Sequence, residues 1–454
     1  MRKILCLILI IITFGMPAFA KKQTENEINR MNYMNIPFWE KFNDEILIEN
    51  LYSVYEKNHD LKIALHKVNE AQRLVKISFA NELPQIGFDG NVNHTFSSSN
   101  EVFGDVVIPS YQETRFLFPL TMSYEVDIWG KNHLKTKAQR KQYEMVLQDE
   151  KAAYITLTSA FAGDYFNLIK IDELIRLQQE LINVQKGICS AVKLKYELGT
   201  ATISSVLLQE KLLTYLKDDL NTLLEKQDIL KNQMNVFVSD GEFKDISRKT
   251  YEDLNLNITI PQKVDTKFLD YRPDYVKSEL AIEKAGIDVK VAKRELLPSF
   301  TINGNLGFNF YNISKVDTFL ANLGVLPTMD IFTGGRKIQY LKFKNDAYKI
   351  AIEKYNNTIL KSMQETNDSL FALKSADIKL LTAQDRTNIC ANEMTLMNKR
   401  NEIGTADNLN LLLQKEQLLI AQKQEVSAKT NVIIAMIDLY KAMGGFDFTN
   451  IPEL

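Results

Sequence analysis

The sequence predicts an α+β membrane fold. Four β-strands per chain enter a barrel shared between chains, and long coiled-coil helices extend from them. Three observations carry this. Four ordered matches relate the first half of the chain to the second. Two stretches are too long and too poor in Gly and Pro to be ordinary domain helices. Four short segments alternate between apolar and polar residues, the period of a strand.

The chain opens on a targeting pattern. Arg2 and Lys3 precede an apolar run from Ile4 to Gly15, and Ala18-Phe19-Ala20 has the small-x-small form of a signal-peptidase site. The run is shorter than the roughly 20 residues a spanning helix needs. Residues 1–20 are therefore expected to be a signal peptide and not an uncleaved anchor. Cys6 lies inside the run and not at its end, which argues against lipidation.

The remainder divides into two repeats, 21–240 and 241–454. Asn81–Asn91 matches Glu295–Asn305, and Glu125–Lys131 matches Thr328–Arg336. Lys195–Ala201 then matches Arg400–Ala406, and Leu207–Leu213 matches Leu412–Leu418. Such internal similarity is sought first because it determines the whole architecture. Each repeat reads as helix, two strands, long helix, tight turn, long helix.

The strands are expected at about 84–96 and 113–128 in the first repeat, and at about 298–310 and 320–332 in the second. Phe116, Phe118, Leu120, Met122, Tyr124 and Val126 alternate with a mostly polar set that includes Arg115, Thr121, Ser123 and Glu125. Phe300, Ile302, Leu306 and Phe308 alternate with Thr301, Asn303, Asn305 and Asn309 in the same way. The fourth strand has the weakest pattern and carries Pro327. An apolar face backed by an Asn/Ser/Thr face suits a barrel with a wet interior, although a soluble sheet with one solvated face has the same period. The near absence of Lys from the polar face favours the membrane. So do Trp129 and Phe332 at equivalent strand ends. Polar loops are expected at Ser97–Gln112 and Tyr311–Thr318. Four strands cannot close a barrel, and open edges in hydrocarbon cost several kcal/mol per unpaired backbone group. A membrane sheet of this kind therefore requires several chains.

The helices follow. From Arg336 to Ile403 there is neither Gly nor Pro, a run of roughly 100 Å at about 1.5 Å per residue. Helices of that length must pack along one another. Leu177, Leu181, Val184 and Ile188 recur at helical spacing. Gly199 and Gly404 interrupt the long runs where a left-handed cap is needed, so the two helical hairpins should turn near 199 and near 404.

Composition excludes other classes. Net charge is −2, which gives no nucleic-acid footprint. Cys189 and Cys390 are too isolated for a disulfide framework. His59, His66, His94 and His133 form no metal-spaced pair, and neither a phosphate loop nor a nucleophile elbow is present. No enzyme, metal or cofactor is expected.

These residues resemble a known family. Tyr124-Glu125-Val126-Asp127-Ile128-Trp129-Gly130-Lys131 is similar to the strand-to-helix junction of TolC-like outer-membrane efflux proteins of the NodT type. Arg272-Pro273-Asp274, Leu297-Pro298-Ser299-Phe300, Phe332-Thr333-Gly334-Gly335-Arg336 and Leu439–Gly445 also resemble family motifs, in order, over nearly the whole mature chain.

The resemblance implies a homotrimer in the bacterial outer membrane with a shared twelve-stranded barrel and a periplasmic helical tube. Its partners would be outer-membrane lipid, a periplasmic adaptor (membrane fusion) protein and an inner-membrane transporter. Its function would be that of a passive duct for small molecules such as drugs. Type I protein secretion, metal-ion efflux and a soluble periplasmic coiled-coil scaffold are the alternatives.

For sites, the resemblance points to adaptor docking at the tips, Lys195, Gly199, Thr200, Arg400, Gly404 and Thr405. It points to a periplasmic gate near Ser205, Asp407, Asn410 and Leu413. Where many relatives carry an aspartate ring, this chain has Asn410 and Leu413. Asp407 is the nearest acid, and it also fits a first-turn residue favoured by the helix dipole.

Overall fold

The computed structural model describes residues 30–97, 102–103, 106–107, 110–238, 241–254, 261, 266–311, 315–405 and 407–448. The expected signal peptide lies outside them. The chain forms two compact units, and each takes segments from both halves of the sequence. The first comprises residues up to Leu65, Gln148–Val276 and Thr358 onward; the second comprises His66–Leu147 and Lys277–Asn357.

In chain order the helices are α1 (Ile36–Glu40), α2 (Glu45–Lys57), α3 (His59–Ala80), α4 (Lys131–Glu197), α5 (Ile203–Val238), α6 (Pro273–Arg294), α7 (Arg336–Glu402) and α8 (Asn408–Ala442). Each of α4 and α7 has 67 residues. The strands are β1 (Gln85–Phe88), β2 (Asn91–Ser97), the short pair β3 (Val102–Phe103) and β4 (Val106–Val107), β5 (Tyr111–Val126), β6 (Ser299–Tyr311) and β7 (Lys315–Thr328).

The core of the first unit is aliphatic with a cluster of aromatic rings. Phe38 and Trp39 of α1 are fully buried, and Phe38 stacks on Tyr440 of α8 with ring centroids 4.0 Å apart. Trp39 satisfies its indole by donating Nε1–H to the Met34 carbonyl at 2.9 Å, as a buried indole must. Asp44 caps α2 by accepting from the Leu47 amide, and it also accepts the Tyr165 hydroxyl at 2.7 Å. Leu177, Leu181, Val184 and Ile188 form a second buried cluster with Val206 of α5 and Leu419 and Val426 of α8. The helical spacing of those four residues is thus the seam on which α4, α5 and α8 pack.

One buried cation fastens the end of α8. Arg272 donates to both carboxylate oxygens of Asp274 (2.9 and 2.7 Å), to Glu365 (2.7 Å) and to the Ala442 carbonyl (2.5 Å). That last contact satisfies an orphan carbonyl at a helix C-terminus. Burial disfavours the guanidinium charge, but the two carboxylates outweigh it and hold the Arg272 pKa above its ordinary value.

The second unit carries the sheet. Its order is β1–β5–β6–β7, with β2 also pairing β5, and every pairing is antiparallel. Three sequence expectations need correction. The first strand is two pieces in one register, since Phe88 pairs with Leu120 and Asn91 with Leu117. The break faces Pro119, whose carbonyl accepts from Asp89 N–H at 3.2 Å but which has no N–H to return. The fourth strand is Lys315–Thr328 and not 320–332. It leaves Ile331 and Phe332 beyond the strand and almost fully exposed. The two expected loops are shorter, because Tyr111 opens β5, Tyr311 closes β6 and Lys315 opens β7.

Among the described residues no helix is long and apolar enough to cross a membrane.

Candidate functional site

Two features stand out: the sheet in the second unit and the two helical tips in the first. Register sorts the sheet into faces. Ile86 pairs with Met122, Phe88 with Leu120 and Val92 with Phe116. Phe118 pairs with Phe308, Leu120 with Leu306 and Tyr124 with Ile302. Phe308 pairs with Phe319, and Ile302 with Val325. Paired residues point to the same face, so one face is apolar across all the strands. Among the described residues nothing covers it: Leu323 is 76%, Ile86 70% and Phe88 66% exposed.

The other face is mostly polar and internally hydrogen-bonded, although register also places Leu117, Leu320 and Leu326 on it. Ser123 Oγ donates to Asn303 Oδ1 at 3.2 Å, and Asn322 Nδ2 donates to Asn305 Oδ1 at 3.0 Å. Thr121 Oγ1 donates to Asp89 Oδ2 at 3.1 Å, and Arg115 Nε to Asn309 Oδ1 at 3.0 Å. Among the described residues, the outer sides of β1/β2 and of β7 pair with no strand. Among these residues the sheet is open at both edges, apolar on one side and mostly polar on the other.

The tips are built alike. At the end of α4, Gly199 has φ 73°, its N–H reaches Tyr196 O, and Thr200 N–H reaches Lys195 O at 2.8 Å. At the end of α7, Gly404 has φ 74°, its N–H reaches Asn401 O, and Thr405 N–H reaches Arg400 O at 2.8 Å. Both are Schellman caps, which satisfy the last carbonyls through a left-handed residue that glycine supplies without strain. The Thr200 and Thr405 hydroxyls repeat the bonds to Lys195 O and Arg400 O at 2.9 and 3.0 Å. Leu198 and Ile403 stand at equivalent places and are exposed.

The four residues expected near a gate are placed as follows. Asp407 is the N-cap of α8, just outside the first turn where it was expected, and it accepts from Leu409 N. Its other carboxylate oxygen lies 2.6 Å from Lys195 Nζ. That hydrogen bond holds the Asp407 pKa below the usual carboxylate value. Lys195 is therefore paired within its own chain and ties one tip to the other. Arg400, its counterpart, is exposed and has no ion-pair partner among the described residues. Ser205 is half-buried in the first turn of α5, where its hydroxyl donates to the Thr202 carbonyl at 2.6 Å. Asn410 and Leu413 are exposed on α8.

Sequence reasoning missed the Lys195–Asp407 pair, whose partners are distant in sequence. It missed Thr202, whose side chain accepts from Ser205 N as a helix cap does. It saw Arg272-Pro273-Asp274 only as a motif, whereas Arg272 is the clamp on α8.

The sequence profile of the family described as outer membrane efflux protein matches residues 50–235 and 266–445. The pyoverdine export outer membrane protein OpmQ of Pseudomonas aeruginosa is 24% identical over 425 residues, covering 90% of this chain and 87% of its own. The cation efflux system protein CusC of Escherichia coli O157:H7 is 24% identical over 427 residues, covering 91% and 89%. The crystal structure of the Campylobacter jejuni CmeC outer membrane channel superposes with a TM-score of 0.81 at 22% identity, over 91% of this chain and 89% of that one.

Proposed function

The chain belongs to the outer membrane efflux protein family, and from that premise we propose that it is the outer-membrane channel subunit of a tripartite efflux system. The open sheet carries this reading. Its uncovered apolar face suits lipid, and its hydrogen-bonded polar face suits a water-filled lumen. Its two unpaired edges are untenable in hydrocarbon unless other copies pair with them.

In this reading three identical chains close a barrel from four strands each, and the long helices form the periplasmic part of the duct. The similar layout of the two halves is the trace of an internal repeat. The tips, with Arg400, Leu198 and Ile403 exposed, meet a periplasmic adaptor that links the duct to an inner-membrane transporter. The gate lies beside them. Asn410 and Leu413 provide no ring of carboxylates, so the Lys195–Asp407 pair is the charged element that must rearrange if the tips part. The duct performs no bond chemistry; it offers a wet path, and its selectivity follows from pore lining and charge.

Cargo choice belongs mainly to the pump. The relatives carry names as different as pyoverdine export and cation efflux, and small molecules such as drugs are the class proposed here.

Light scattering on the detergent-purified mature protein, corrected for bound detergent, is the test. A mass of three chains supports the shared barrel. A single-chain mass, in protein that stays soluble without detergent, would refute it.

A further inference from the structure

All four junctions between helix and sheet lie at one end of the sheet, because Gln85 pairs with Ser123, Val126 with Phe300 and Ser299 with Thr328. The helical segments next to those junctions are residues 71–80, 131–143, 289–294 and 336–345. They contain fourteen lysines and arginines and no acid, in a chain whose net charge is −2; Glu82, Glu125, Asp127, Glu295 and Asp330 stand between them and the strand cores. Helix physics does not explain this. Cations are favourable at the C-termini of α3 and α6, but acids are what the N-termini of α4 and α7 favour. The first turns of α4 and α7 hold no acid and carry Lys131, Arg336 and Lys337 instead.

Nor are the charges used up inside the chain. Lys131 pairs with Glu125, Lys135 with Glu295, Lys337 with Asp330, and Lys141 with both Glu144 and Glu283. Lys137, Arg140, Lys290, Lys293, Arg336 and Lys342, by contrast, are all exposed and have no ion-pair partner among the described residues. At the same end Trp129 and Phe332 are exposed, as aromatic residues are at a membrane interface.

We propose that this collar binds the anionic headgroups of phospholipids in the periplasm-facing leaflet, so that the protein gathers phosphatidylglycerol-type lipid around itself and is held at a fixed depth. The inference rests on the membrane reading of the sheet. The six exposed cations lie within about three helical turns of the sheet, about 16 Å. That is within reach of the headgroup zone once the length of a lysine side chain and a Debye length of about 8 Å are added. Clustered lysines and arginines beside a membrane segment attract anionic lipid in this way.

The mature protein would be transferred from detergent into vesicles of phosphatidylcholine alone and into vesicles of equal parts phosphatidylcholine and phosphatidylglycerol. Flotation in the neutral vesicles reports whether the sheet inserts at all; failure there would sink the membrane reading itself. Lipid retained by the protein would be counted by native mass spectrometry. We expect about fivefold enrichment of phosphatidylglycerol at low salt, the factor that one basic residue near an anionic surface supplies, declining as salt is raised. Enrichment should be lost in a variant carrying Lys137→Gln, Arg140→Gln, Lys290→Gln, Lys293→Gln, Arg336→Gln and Lys342→Gln that still floats with neutral vesicles. Insertion without lipid preference, or a preference unchanged in the variant, would overturn the collar proposal alone. Absence of lipid preference combined with charge-dependent sedimentation on isolated cell-wall glycan would also overturn it, in favour of that polymer.

Discussion

Replacing Gly444 by alanine should damage the first unit far more than the same change at Gly199, although the two glycines have nearly the same backbone conformation. Both occupy the left-handed position of a Schellman cap, with φ 68° and 73°. A side chain there costs about 1–2 kcal/mol whatever surrounds it. Around Gly199 nothing lies within 4 Å of the position a Cβ would take, so that cost is the whole effect. At Gly444 the added carbon would sit 2.6 Å from Arg272 Cα and 2.8 Å from Arg272 N. Those are backbone atoms that cannot rotate away, and relieving the clash displaces the residue that clamps α8. Overpacking of this kind adds about 1–3 kcal/mol. Gly444→Ala is thus expected to lose about 2–5 kcal/mol, against at most about 1–2 for Gly199→Ala and for its twin Gly404→Ala. The chain has two tryptophans, so Trp129→Phe leaves Trp39 as sole reporter. Its ring lies 5.3 Å from that of Tyr440, on the helix that Gly444 terminates. Urea titration followed by Trp39 fluorescence then reads the first unit directly. Equal losses in the three variants would show that the approach of Gly444 to Arg272 has no energetic weight.

Two further outcomes are expected. The Lys195 hydrogen bond depresses the Asp407 pKa. The pair should therefore be intact above the ordinary carboxylate pKa of about 3.9 and be lost only as pH falls through the lower folded value. Spin labels at Leu198→Cys and Ile403→Cys, with the native cysteines replaced by serine, should give one distance from pH 8 to pH 5. They should give a broader distribution in Asp407→Asn at every pH; a narrow distribution in that variant would remove the pair from any account of the tips. On the sheet, Leu306→Arg places a charge on the apolar face and should cost about 2–4 kcal/mol at mid-membrane, seen as lost heat-modifiable migration on gels. Asn305→Arg, on the neighbouring residue of the polar face, should leave migration unchanged, and equal behaviour of the two would contradict the assignment of faces.

The two faces of the sheet were legible in the sequence because strand alternation is local: a residue's face follows from its parity alone. The long helices were legible for the same reason. The run from Arg336 to Ile403 without Gly or Pro became α7, Arg336–Glu402. Glycines where a left-handed cap was required marked both turns. The bounds of β7 were not legible, because its own pattern is weak and its register comes from its neighbour. Phe308 pairs with Phe319 and Leu306 with Ala321, and a shift at Asn309/Phe310 carries the strand back to Lys315.

Tertiary structure alone decided what depends on residues far apart in the chain. The two compact units interleave both halves of the sequence. Lys195 meets Asp407 instead of remaining free, Arg272 closes on Glu365 and Ala442, and the cations of four separate segments gather at one end of one sheet. Periodicity and cap chemistry act over a few residues and are written in the sequence. Ion pairs and shared surfaces need the chain to have returned to the same place, and only the packed fold brings it there.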